Sequence, residues 1–276
     1  MLAGFNFFDP ATEKKLACHP DLPDFAREHA YKGKSTAQHA TGDLIVIAFY
    51  FLLRIGEYTA GTKRKKKTRT RQFREKDVTF FKQKKGMLTA LPRDAPAEEI
   101  MMADAATLRI SNKKNGHAGA SVHHWALTNE PNKCPVRALG RRVAHIRRHA
   151  TNGNALLCAF WDQMGRGDVT GGMVRFSVKY AAAALDYPVR GIPIDRIDTH
   201  SLRSGGACAL SVAGFKPHEI MKMGRWAPNS LSFMEYIQQQ LSTFSAGMSD
   251  AMSKIKPFTN MEGATNSDDL RAGTIH

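Results

Sequence analysis

Long apolar runs are missing from this chain of 276 residues: the longest, Leu44 to Leu53, stops at Arg54. A membrane-spanning helix needs about 20 such residues, so no span is expected. Asp9, Pro10 and Glu13 fall where a secretory leader would carry a basic start and an apolar stretch. Cysteine is scarce. Cys18, Cys134, Cys158 and Cys208 are scattered, without a CxxC pair or a compact set of histidine partners, which predicts a reducing compartment and no structural zinc. A glycine-rich phosphate loop and an acidic metal cluster are both lacking, so neither metal nor other cofactor is expected. Acidic residues are the last deficit. Asp+Glu 25 against Lys+Arg 40 leaves a net charge of +15, which points to a polyanionic partner.

What is present reads as an ordinary globular chain, 42% hydrophobic and 24% charged, long enough to bury a full core. Residues 1–33 are short, mixed and broken by Pro20 and Pro23, with room for a helix or two but not for a domain. Thr41-Gly42-Asp43 leads into the apolar run, whose length predicts a buried helix with Arg54 and Glu57 at its C-terminal end. Residues 63–74 carry eight basic side chains in twelve positions and predict a solvated loop. Short strand-like runs follow at Val78–Phe81, Met87–Leu91, Thr107–Ser111 and Ser121–Leu127, the last two as a hairpin with Lys113 and Lys114 at its tip.

From Pro135 the pattern turns helical. Val136, Leu139, Val143 and Ile146 form a packing face, with Arg137, Arg141, Arg142, Arg147 and Arg148 mostly on a basic one. Further helices are predicted at about 170–186, 200–213, 217–224 and 230–241, and residues 245–276 read as a flexible tail. No internal repeat is visible.

One candidate for chemistry is His200-Ser-Leu-Arg203, opening a helix that continues through Ser204, Gly205, Gly206 and Ala207. The pattern alone is weak, since His145-Ile-Arg-Arg148 matches it too. The ordered set is more specific: Arg54-Ile-Gly-Glu57, the hairpin lysines, HSLR, then Met223-Gly224-Arg225-Trp226 and, ten positions after Trp226, Tyr236. In this set the chain resembles the tyrosine recombinases, or phage-integrase family, and among them the eukaryotic transposon-type, crypton-like members. The resemblance spans about Lys34 to Leu241.

The resemblance implies an α+β, mainly α, catalytic domain of the DNA breaking-rejoining type with a small antiparallel β-sheet, over residues 34–244. It implies Arg54, His200 and Arg203 as catalytic groups, Glu57 as an orienting acid, Lys114 as the hairpin lysine, Trp226 at the position of histidine or tryptophan, and Tyr236 as nucleophile. Lys113 is the weaker hairpin choice and a DNA contact. The family's separate helical clamp domain finds no room in residues 1–33. The expected function is site-specific recombination or integration through a 3′-phosphotyrosine, on double-stranded DNA, with self-association on it. A non-catalytic DNA-binding remnant of a mobile element and a type IB topoisomerase are the alternatives.

The chemistry explains these residue types. Guanidinium forks match the oxygens on which charge develops in phosphoryl transfer. A phenol with a pKa near 10 needs a base, and a deoxyribose oxygen needs a proton to leave. Other readings stay open for each: Arg54 snorkelling from an apolar helix, Glu57 as a plain ion-pair partner, and Trp226 and Tyr236 as packing. Lys63, Arg64, Lys65, Lys66, Lys67, Arg69 and Arg71 are candidate DNA-backbone contacts or a nuclear import signal, the latter giving a nuclear address in a eukaryote. His145 and His149, beside Arg147 and Arg148, are not expected to bind metal.

Overall fold

The apolar run becomes the central helix. In a computed structural model that describes residues 15–61, 71–110, 121–150, 152–227 and 233, α1 (Asp21–Lys32) packs on α2 (Thr36–Tyr50), and every residue from Leu44 to Phe49 is buried. Burying each large side chain of that stretch stabilises the fold by roughly 1.5 to 3 kcal/mol. The helix is nevertheless shorter than the apolar run predicts. It closes at Tyr50, the Phe51 N–H donates to the Ile47 carbonyl, and Leu52 turns into the left-handed region at φ 50°. Arg54 and Glu57 therefore belong to a separate single turn, α3 (Ile55–Tyr58), which Arg54 caps. All the described residues belong to one compact unit.

A four-stranded antiparallel sheet follows, with β1 (Val78–Lys84), β2 (Met87–Ala90), β3 (Ala105–Arg109) and β4 (Ser121–Trp125) in the order β2-β1-β3-β4. The register pairs Phe81 with Ala90, Val78 with Leu108 and Ala105 with Trp125. The predicted strands and the antiparallel pairing of the last two are present; the connecting residues, Lys113 and Lys114 among them, lie outside the described residues. Helix α4 (Ala97–Met101) bridges β2 and β3. The predicted loop at 63–74 ends early. Phe73 enters the core, and Arg74, whose guanidinium donates to the Asn154 carbonyl, leads into a 3₁₀ turn at Glu75–Asp77. Lys63 to Arg69 lie outside the described residues.

Helix α5 (Pro135–Arg147) buries Val136, Leu139, Val143 and Ile146 as its spacing predicts. The basic face is largely engaged by the rest of the fold. Arg142 is 3% exposed and donates to the Leu157 and Ala159 carbonyls, Arg141 pairs with Asp43, Arg147 with Glu75, and Arg137 donates to the Ala103 carbonyl. These arginines tie α5 to its neighbours. A two-stranded ribbon, β5 (Ala159–Asp162) with β6 (Gly165–Asp168), follows where no strand pattern is legible. Helices α6 (Gly171–Ala184), α7 (Thr199–Val212) and α8 (Pro217–Gly224) complete the described fold, which is mainly helical α+β with a small antiparallel sheet. Among the described residues no helix is long and apolar enough to cross a membrane. The predicted helix at 230–241 lies outside them except for Phe233, which is helical and buried.

Candidate active site

Small residues bring the HSLR helix against the end of α2. A Cβ on Gly206 would stand 2.3 Å from the Phe49 carbonyl oxygen and 2.5 Å from Leu52 Cδ2, and one on Gly205 would stand 2.3 Å from the Cys18 carbonyl oxygen. Only glycine permits that approach. It lets the buried guanidinium of Arg203 donate through Nη1 to the Leu52 carbonyl and through Nη2 to the Gly224 carbonyl. Asp198 caps α7, its carboxylate accepting the Thr199 N–H while its own N–H donates to Ser201 Oγ, and this places His200 in the first turn.

The third wall is the end of α8. Its cap, Arg225, is left-handed at φ 62°, a conformation that costs an L-residue about 1 to 2 kcal/mol. Its guanidinium is held at both ends: Nη1 and Nη2 donate to Glu57 Oε1 and Oε2, each at 3.0 Å, and Nη2 also donates to the Leu52 carbonyl at 3.2 Å. Glu57 is 1% exposed, and its Oε2 accepts the Arg54 backbone N–H at 2.8 Å. Arg54 closes the ring, Nη1 reaching Glu57 Oε1 at 3.4 Å and Nη2 the Arg225 carbonyl at 3.3 Å. Trp226 lies beneath, its ring centroid 4.0 Å from the Arg203 guanidinium carbon, a cation–π contact. It packs with Leu52, Ala207, Ile220 and Phe233.

The site thus gathers Arg54, Glu57, His200, Arg203 and Trp226 from three stretches of chain. His200, an exposed residue, is held below its usual pKa by partial burial first and then by Arg203; Asp198 opposes this and Arg54 adds to it. His200 thus stands beside two cations, Arg203 and Arg54. Burial likewise pushes Arg225 down, with Glu57 opposing. The sheet is anchored nearby, since His124 Nε2 on β4 donates to the Tyr50 carbonyl at 2.8 Å at the end of α2. Arg71 is exposed. Tyr236 lies outside the described residues.

Sequence reading missed Arg225, taking from the MGRW segment only Trp226. The available signal was Glu57 itself, an acid just past an apolar run, where burial demands a well-paired cation. The Glu57 reading as an ion-pair partner holds, and it is compatible with orienting the site because the same carboxylate fixes Arg54.

No family model and no curated protein matches this chain. Solved structures resemble it across most of its length. The Tn1549 transposon integrase in complex with transposon right end DNA is 14% identical, with a TM-score of 0.42, over 83% of this chain and 63% of that one. The XerH site-specific recombinase bound to palindromic difH substrate in a post-cleavage complex is 15% identical, with a TM-score of 0.47, over 85% of this chain and 53% of that one. The chain thus spans between half and two thirds of the length of these two chains.

Proposed function

We propose that this protein cleaves and rejoins duplex DNA through a 3′-phosphotyrosine, as a recombinase or integrase of the eukaryotic transposon type. The observation that carries the reading is the convergence of Arg54, Arg203 and His200 at the junction of α2, α3 and α7, with Glu57 and Trp226 fixing the two arginines. That arrangement suits an anionic, pentavalent phosphorus. The guanidinium of Arg54, and that of Arg203 where DNA draws it from the Leu52 and Gly224 carbonyls, bind the non-bridging oxygens where charge develops, and one such donor is worth about 2.7 to 4 kcal/mol of transition-state stabilisation. Double-stranded DNA as partner is supported by the net charge of +15.

In the proposed reaction the Tyr236 phenol oxygen attacks phosphorus and its proton passes to His200. The bond from phosphorus to the 5′ oxygen breaks, and that oxygen takes a proton from Lys114. The products are a 3′-phosphotyrosyl enzyme and a free 5′-hydroxyl. Attack by a 5′-hydroxyl reverses every step, so rejoining needs no external energy source. Lys113 and the basic residues from Lys63 to Arg71 contact the DNA backbone.

A substrate whose scissile 5′ oxygen is replaced by sulfur tests the division of labour. Sulfur leaves without a proton. Lys114→Ala is expected to cleave ordinary DNA severely slowly and the sulfur-bridged DNA at nearly the wild-type rate, whereas Arg203→Ala stays slow on both. Equal defects of Lys114→Ala on the two substrates would remove the lysine from the reaction.

A further inference from the structure

Buried cations in excess of carboxylates mark a second site, on the first half of α2. A cavity of about 330 Å³ opens between α2 and α5, lined by Tyr31, Thr36, His39, Arg141, Arg142 and Arg148 among others. Its size is that of a small-molecule site. Arg141 is neutralised by Asp43, which accepts from Nε at 2.9 Å and Nη2 at 2.7 Å and also takes the Tyr31 hydroxyl at 2.8 Å. Asp43, itself a lining residue, is thus paired through Oδ1 with Arg141 and through Oδ2 with Tyr31. Arg142, almost wholly buried, donates only to main-chain carbonyls among its described contacts. Arg27, 8% exposed and behind the lining residues, lies 4.6 Å from the Tyr31 centroid, and its Nε has no hydrogen-bond partner among the described residues. Taking such cations out of water costs several kcal/mol each unless an anion faces them.

Three further features converge on the same space. Thr36 Oγ1 is buried without a hydrogen-bond partner among the described residues. Thr36 opens α2, whose first turn carries no acidic side chain, so the positive end of the helix dipole adds to the field. His39 stacks on Tyr31 at 4.3 Å, giving the cavity a planar wall. The field registers on His145, pushed down to about 4 by burial first and then by Arg142, His149, Arg148 and His39. Burial also lowers Arg27, with Arg141 adding and Asp43 and Glu28 opposing.

We infer that this cavity binds a small polyphosphate anion, from pyrophosphate to a nucleoside diphosphate in size. A DNA backbone is the poorer fit, because the cations are recessed in a concavity and Thr36 lies on the order of 20 Å along the α2 axis from Tyr50, at whose end the candidate active site is built. The anion site stands independently of the phosphotyrosine reading, because no residue is shared.

Calorimetric titration of the full chain with pyrophosphate, in chelator, at about 0.15 M salt and with saturating duplex DNA present, tests it. One pyrophosphate per chain is expected to bind, and Arg148→Gln with Thr36→Val, both lining the cavity, to weaken it at least about tenfold while duplex affinity stays within about twofold. Bound pyrophosphate is also expected to move the His145 ring titration upward in histidine NMR. Adenosine diphosphate in a parallel arm ranks the two ligands, and saturable binding of either supports the site. Absence of saturable binding of both, displacement by duplex DNA, or insensitivity to the double substitution overturns it.

Discussion

Glu57 and Arg225 face each other in a two-point ion pair, both contacts 3.0 Å, with 1% and 3% of the side chains exposed. A buried pair of this kind gains little over an apolar pair of similar volume, but breaking it strands a charge, at about 3 to 5 kcal/mol. Glu57→Gln is therefore expected to destabilise severely, because Arg54 and Arg225 then lose their common carboxylate. Glu57→Gln with Arg225→Met is expected to recover most of the urea midpoint while leaving Arg54 without its anchor. Two additive losses in the double-mutant cycle would mean that the pair is not coupled.

Gly206→Ala introduces a methyl that meets the Phe49 carbonyl oxygen and Leu52. Relief requires α7 to move off α2, at a cost of about 1 to 3 kcal/mol, and the movement pulls Arg203 from Leu52. Gly172→Ala on α6, where the nearest atom would be 3.7 Å away, is the control. A Gly206 variant with the control's denaturation midpoint would contradict the close seat.

The contrast between these residues explains what could be read in the sequence. Helix α5 was legible because Val136, Leu139, Val143 and Ile146 repeat at helical spacing and all face the core. The HSLR helix was legible through its motif, His200-Ser-Leu-Arg203. The end of α2 was not. Phe51, Leu52 and Leu53 are as apolar and as buried as the helix before them, so hydrophobicity continues where the backbone turns at Leu52. The arginines of α5 misled in the opposite direction, since spacing puts them off the packing face but cannot show that Asp43 and Glu75 wait there. Arg225 escaped because its partner, Glu57, is remote in sequence and only folding brings them together.

The pH dependence of stability follows from two partly buried imidazoles. His124 and His145 are both pushed down to about 4, burial being the first cause of each. Unfolded histidines take up a proton near 6.5, so between about pH 6.5 and 4 the unfolded state binds more protons and stability falls as pH falls. Asp24, raised to about 6 by burial, acts in the opposite sense over part of that range. His124→Gln, which keeps a donor for the Tyr50 carbonyl, is expected to flatten the decline in urea midpoint relative to wild type. An unchanged slope would show that His124 takes up its proton equally in the folded and unfolded states.

Cleavage should carry an acid limb set by His200. The neutral ring is the proton acceptor and its pKa lies below the ordinary value, so the rate rises with pH through a limb below about 6.5 and is level above it. Asp198 is the carboxylate that holds this pKa up. Asp198→Asn keeps a capping side chain and is expected to move the limb to lower pH. A limb that stays or moves upward would separate His200 from the proton transfer.

The most direct measurement is covalent trapping on a duplex nicked so that the short fragment bearing the 5′-hydroxyl diffuses away after cleavage. In chelator, the wild-type chain is expected to accumulate a denaturant-resistant adduct, mapped by mass spectrometry to a 3′-phosphate ester on Tyr236, while Tyr236→Phe binds the same DNA equally and forms none. An adduct on another residue, or no adduct from a folded and DNA-bound wild-type chain, would contradict the account.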